Sequence, residues 1–278
     1  MTITPPPPTD LSGLVEAFAQ TTGAVLDLAG GLDESRAGLA TECPGWTVLD
    51  QVRHVASIEA LILGEPVPDH DVSSHAHVRN DFGVIIEKYL EGRRARSLQD
   101  VVDELTEVRE RRLADLGAPD QTLESPSASP FGPATHGDVL PMRVFDIWCH
   151  EQDLREALGV PGGLDTAAAA LSVSRGLMGL PRKIAQAGLL ADGRRVVIEV
   201  TGPVATTFTV SVATNEAGKA IGKASAGADD GTAARVALDT RAFMRRIAGR
   251  WPVDQLGAEI SGDASLAAQV LEAMVVTP

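Results

Sequence analysis

Cysteine is almost absent from this 278-residue chain. Cys43 and Cys149 stand far apart and form no CxxC pair, which argues against a disulfide framework or a cysteine-built zinc knot. Aromatic residues are scarce, at 4% with a single Tyr, and the abundant Ala favours helices. Positive charge is in deficit: 24 Lys and Arg against 38 Asp and Glu give a net charge of −14. That balance argues against nonspecific binding to nucleic acid or an anionic membrane, both of which need clustered cations. The basic runs Arg93-Arg94-Ala95-Arg96 and Arg109 to Arg112 are mixed with acids and read as solvated helix faces. No apolar run reaches bilayer-spanning length. The N-terminus, Met-Thr-Ile-Thr and four prolines, lacks the basic and apolar regions of a signal peptide. The expectation is a cytoplasmic, monomeric protein with no nucleic-acid or membrane partner.

An apolar content of 44% is enough for a buried core. Residues 1–9 read as a disordered proline-rich tail. Over 10–160, helical periodicity predicts helices at about 10–28, 47–64 and 98–116, a helical patch at 82–89 and a fourth long helix at 137–158. Thr47, with Asp50 three residues later, has the capping-box pattern. Residues 117–136, rich in Pro, Ser and Gly, predict a loop. Four long helices around a polar site suggest an antiparallel bundle. Gly159-Val-Pro-Gly-Gly163 reads as a linker. Residues 164–278 change character: a helix at 165–187, β-branched strands at 194–200 and 206–213, a helix at 232–249, a further strand at 253–261 and a last helix at 263–274. That half is α+β.

The chemistry concentrates on the fourth helix. Asp146 and His150 are one turn apart on one face, and a carboxylate and an imidazole at that spacing can grip one divalent metal. His54 is the candidate third ligand. The alternative is a solvated i,i+4 pair with His54 as a boundary residue. Asp153, a turn beyond His150, is a candidate outer partner for its second nitrogen. Arg143 could neutralise Asp153 or meet an anionic substrate. His70, His75 and His77 include an HxH spacing that could bind metal, but their polar setting reads as surface. Trp46 and Trp148 read as core residues that could wall a pocket, and Cys149 as a small core residue. Arg246 and Arg250 are the cations best placed for a carboxylate-bearing substrate, with a solvated helix end as the alternative.

Cys43-Pro44-Gly45-Trp46-Thr47-Val48, followed by Val52-Arg53-His54-Val55-Ala56, is similar to a signature of mycothiol-dependent maleylpyruvate isomerase-like proteins, a branch of the DinB-like metalloproteins. The tract from Arg143-Val144-Phe145-Asp146 through Trp148, His150-Glu151-Gln152-Asp153 and Arg155 to Gly159 resembles that group's second signature. Leu238-Asp239-Thr240-Arg241-Ala242-Phe243, Ala248-Gly249-Arg250 and Ile260-Ser261-Gly262-Asp263 resemble its appended sterol-carrier-like domain. The resemblance implies a DinB-like all-α four-helix bundle followed by an α+β sterol-carrier-like domain. It also implies one divalent metal, zinc as a rule, held by His54, Asp146 and His150, with Arg250 near the substrate. A thiol on that metal loses its proton. Mycothiol would supply the sulfur for cis-trans isomerisation of a small electrophile, or for S-transfer to one. The alternative is a noncatalytic metal- or small-ligand-binding protein. One departure stands out: Asp146 occupies a position where the family has Glu, one methylene longer.

Overall fold

The computed structural model describes residues 2–129, 132–190, 193–229 and 231–277. Residues 130–131, within the loop expected over 117–136, lie outside the described residues, as do the first and last residues of the chain. The chain divides into two compact units, Pro8–Gly162 and Met1–Pro7 with Gly163–Pro278.

The first unit is helical: α1 (Leu11–Gly30), α2 (Glu34–Ala37), α3 (Val48–Ile62), α4 (Asp81–Glu91), α5 (Leu98–Leu116), a two-residue pair β1 (Pro126–Ser127) and β2 (Ala134–Thr135), then α6 (His136–Leu158). The starts of its helices are written in the sequence. Thr47/Asp50, Ser97/Asp100 and Thr135/Asp138 each form a complete capping box at the heads of α3, α5 and α6, and each cap satisfies end amides for about 1 kcal/mol. At its other end α6 stops on Gly159, whose φ of 66° is left-handed and suits a residue without a Cβ.

Helices α1, α3, α5 and α6 form the bundle: α1 and α3 each pack against both α5 and α6. Helix α3 is buried on nearly every side, from Val48, Val52 and Val55 to Ile58 and Ile62. Its last turns join Ile86, Leu90 and Val139 in one apolar cluster. A helix so enclosed must find partners for every polar group it carries, which is why its Gln51, His54 and Glu59 meet side chains of other helices.

The second unit contains α7 (Ala167–Gln186), β3 (Arg195–Thr201), β4 (Thr206–Thr214), β5 (Ala220–Ala226), β6 (Ala234–Asp239), α8 (Thr240–Ile247), β7 (Glu259–Gly262) and α9 (Ala264–Ala273). The sheet order is β5-β4-β3-β6-β7, with β3 and β6 parallel and the other neighbours antiparallel. An all-α bundle followed by an α+β unit is the fold class expected from the sequence.

Several elements differ from expectation. The helix expected over 232–249 begins as strand β6, because Ala234, Val236 and Leu238 are buried while Arg235 and Asp239 are exposed. That alternation has a period of two, and pairing with β3 uses it. Asp239 then caps the short α8. The strand expected over 253–261 is instead a 3-10 turn at Val253–Gln255 followed by the short β7. Strand β5 carries no buried alternation and was not anticipated. The proline-rich start is not a disordered tail. Thr4 exchanges backbone hydrogen bonds of 2.9 and 2.8 Å with Ala205, and Ile3 is buried.

Gly222 on β5 is held against α7. A Cβ there would lie 1.9 Å from the carbonyl oxygen of Pro181, and backbone cannot rotate away as a side chain could. Gly222→Ala is therefore expected to cost about 3 kcal/mol, read as a lowered urea midpoint for the second unit. An unchanged midpoint would show that α7 and β5 can part without loss. Among the described residues, no helix is long and apolar enough to cross a membrane.

Candidate metal centre

Polar contacts join α3 to α6 and run in opposite chain directions. Gln51 meets His150, His54 meets Asp146, and Glu59 meets Arg143, as antiparallel helices require. On α6 the residues Arg143, Asp146, His150 and Asp153 recur at i, i+3, i+7 and i+10, which is one helix face.

Two imidazoles converge on one carboxylate. His54 Nε2 lies 3.0 Å from Asp146 Oδ2, and His150 Nε2 lies 3.6 Å from Asp146 Oδ1. One donor atom from each of the three residues falls within 4.8 Å of the others. Donors on a tetrahedral zinc ion, at 2.0–2.1 Å from it, are roughly 3.3 Å apart, so the set has the right size and chemistry for such an ion. The His54 and His150 ring centroids are 4.4 Å apart, and Trp46 lies 5.0 and 5.7 Å from them. Both imidazoles are nearly enclosed, whereas the Asp146 side chain is 34% exposed, so the centre opens to solvent on the carboxylate side.

The electrostatics follow from this enclosure. Burial pulls the His54 imidazole down to about 4, against the opposing pull of Asp146, so it is neutral at pH 7 with a lone pair to give. Burial alone would raise Asp146, but Arg143, His54 and His150 hold it well below the usual carboxylate range. Burial likewise disfavours charge on His150, yet Asp146 and Asp153 outweigh it and raise its pKa.

The partners of these groups depart from expectation. Gln51 Oε1 accepts from His150 Nδ1 at 2.5 Å, while Gln51 Nε2 donates to Thr41 Oγ1 at 2.7 Å. Asp153 stands beside the same nitrogen at 3.4 Å, so Gln51 is its nearer partner. No spacing marked Gln51, because it lies on a different helix. His54 Nδ1 is buried with no hydrogen-bond partner, so its ring is held by the Nε2 contact with Asp146 and by packing against Trp46 and His150.

Arg143 does not neutralise Asp153. It donates from Nη1 to Asp146 Oδ2 at 2.6 Å and from Nε to Glu59 Oε1 at 2.8 Å. Arg112 of α5 donates from Nε to Glu59 Oε2 at 3.0 Å. A buried chain of charges thus runs from α5 through α3 to the carboxylate of the centre.

Trp148 is a core residue and Cys149 is buried. Arg246 is not solvated as one reading of the sequence expected. It is buried and bonds the carbonyl oxygens of Leu271, Glu272 and Trp251 and the Glu272 carboxylate, a structural role. Arg250 belongs to the second unit and donates to the Ala248 carbonyl at 2.9 Å. His75 and His77, expected as surface histidines, gather on the buried Glu87; His70 instead lies beside Gly92.

Residues 18–155 match the family described as the mycothiol maleylpyruvate isomerase N-terminal domain. Two solved structures share the fold: a mycothiol-dependent maleylpyruvate isomerase, with TM-score 0.52 and 17% identity, and a histidine-to-alanine mutant of that enzyme, with TM-score 0.53 and 15% identity. Each alignment covers 90% of this chain and 92% of the other. No curated protein sequence matches significantly. The chain belongs, through residues 18–155, to the mycothiol maleylpyruvate isomerase N-terminal domain family.

Proposed function

We propose that His54, Asp146 and His150 hold one divalent metal ion, zinc by the chemistry of the donors, and that the protein works with mycothiol on a small electrophile. The observation that carries this reading is the convergence of two imidazole Nε2 atoms on a carboxylate still open to solvent. Family membership supports the choice of thiol. When bound, the cation would lower the proton affinity of the thiol and leave a thiolate nucleophile at neutral pH.

The chain's own residues prepare the site. His54, neutral at pH 7, offers a lone pair rather than a repelling charge. Gln51 accepts a hydrogen bond from the Nδ1–H of His150 and so leaves Nε2 as the metal-facing nitrogen beside Asp146. Arg143 pins Asp146 without closing its solvent side. Three protein donors leave room for a sulfur, and Trp46 walls one flank. Gln51→Leu should therefore weaken zinc binding roughly 10–100-fold, as loss of an outer hydrogen-bond partner does. Competition against a chromogenic chelator measures this, and an unchanged affinity would assign the orienting role to Asp153 instead.

In isomerisation the thiolate forms a C–S bond at one alkene carbon, and the π pair moves onto the conjugated carbonyl. The former double bond rotates, the pair returns, and the C–S bond breaks to release the trans product and the thiolate. No oxidant or net proton is needed. S-transfer begins in the same way but expels a leaving group and consumes the thiol. The test is zinc-loaded protein with mycothiol and either maleylpyruvate or a haloarene. Conversion of maleylpyruvate without thiol loss assigns isomerisation, and thiol loss with the haloarene assigns transfer. Inactivity in both assays would replace the enzyme by a metal-binding protein.

A further inference from the structure

A second cluster in the helical unit repeats the donor set of the first. His77 Nε2 lies 2.9 Å from Glu87 Oε2, and His75 Nδ1 lies 3.7 Å from Glu87 Oε1. The corresponding distances at Asp146 are 3.0 and 3.6 Å. Again one donor atom from each of three residues lies within 4.8 Å of the others, which brackets the donor spacing of a small divalent ion.

The surroundings have the form of a built site. The Glu87 carboxylate is 1% exposed, and it is oriented by the Trp46 indole N–H at 3.2 Å and by Arg94. Arg143 orients Asp146 in the same manner. The other nitrogen of His75 lies 3.5 Å from Glu91 Oε2, the carboxylate–imidazole pairing that directs a ligating histidine. The His77 ring rests on Gly45, where a Cβ would come within 2.4 Å of Nδ1. That contact fixes the ring with Nε2 turned toward Glu87. Successive turns at Val72–His75 and His75–Val78 place both imidazoles on the same carboxylate.

We propose that His75, His77 and Glu87 form a second divalent-metal site, suited to zinc or another borderline cation that takes imidazole and carboxylate ligands. Both histidines are partly open to solvent, at 24% and 21% side-chain exposure, so an ion can reach and leave this site. The carboxylates of Glu87 and Glu91 outnumber the single guanidinium of Arg94 beside them, which leaves net negative charge for a cation. Trp46 touches both clusters: its ring stands against His54 and His150, and its N–H donates to Glu87.

Zinc alone, titrated into the full chain against a chelator, tests the proposal. The expected stoichiometry is two equivalents, falling to one in His75→Ala/His77→Ala. The pair His54→Ala/His150→Ala should also keep one. The conservative His75→Gln/His77→Gln variant, with circular dichroism unchanged, excludes misfolding as the cause of a loss. One equivalent that survives the His75/His77 substitutions and disappears with the His54/His150 pair would overturn the second site alone. One equivalent with the opposite pattern would keep the second site and overturn the proposed function. An absence of zinc from the unaltered chain would overturn both.

Discussion

Glu59→Ala is expected to destabilise the helical unit by about 3–5 kcal/mol, the cost of breaking a buried ion pair from one side. Glu59 is fully buried and accepts from Arg112 and Arg143, both almost as enclosed. With the carboxylate gone, two guanidinium groups remain inside the bundle, balanced among the described residues only by Asp146 and the outlying Asp115. Neither can shed its proton, so each keeps its desolvation cost. Urea unfolding followed by circular dichroism should show a clear drop in midpoint with little change in slope. Because Arg143 also holds Asp146, the same substitution should weaken zinc binding. A midpoint within error of the parent would mean that water solvates the two arginines, and the bundle core would have to be more open than its burial indicates.

The second large effect concerns the centre itself. His150→Ala and His54→Ala should each reduce zinc affinity by more than about 100-fold, beyond the roughly 10–100-fold that loss of an outer partner costs. Thiol-dependent turnover should fall with the metal. Each substitution removes one of the two imidazoles and leaves one imidazole and one carboxylate to hold the ion. The secondary effects differ. His150→Ala strands the Gln51 amide oxygen at its end of the site, whereas His54→Ala removes a ring packed against both Trp46 and His150. His150→Gln fills the space without restoring an imidazole and so separates loss of a ligand from loss of packing. Zinc retained at both the parental stoichiometry and the parental affinity in both alanine variants would remove these histidines from the metal's ligands.

Much of the bundle was legible because its signals are local. Thr47 and Asp50 marked the head of α3, and the apolar spacing after Leu98 marked α5. On α6, Asp146 and His150 share a face by spacing alone. The second unit was less legible for an equally physical reason. Residues 234–239 carry a strand period too short to stand out beside the helix that follows, and β5 buries almost nothing. Pairing with β3 and β4 decides both strands. The first residues looked disordered by composition, yet Ala205 supplies backbone partners that no composition can reveal.

The sequence by itself determined the helix starts of the first unit, the acidic and cysteine-poor character, and the carboxylate–imidazole face of α6, since each depends on residues within a turn or two. It also carried the family resemblance that singled out His54. Only the tertiary structure decided what faces those residues across the bundle. It set Gln51 on His150, Glu59 between Arg112 and Arg143, and Glu87 beneath His75 and His77. The first two join positions far apart in the chain. They form because an enclosed helix such as α3 must satisfy its polar groups with whatever the neighbouring helices present.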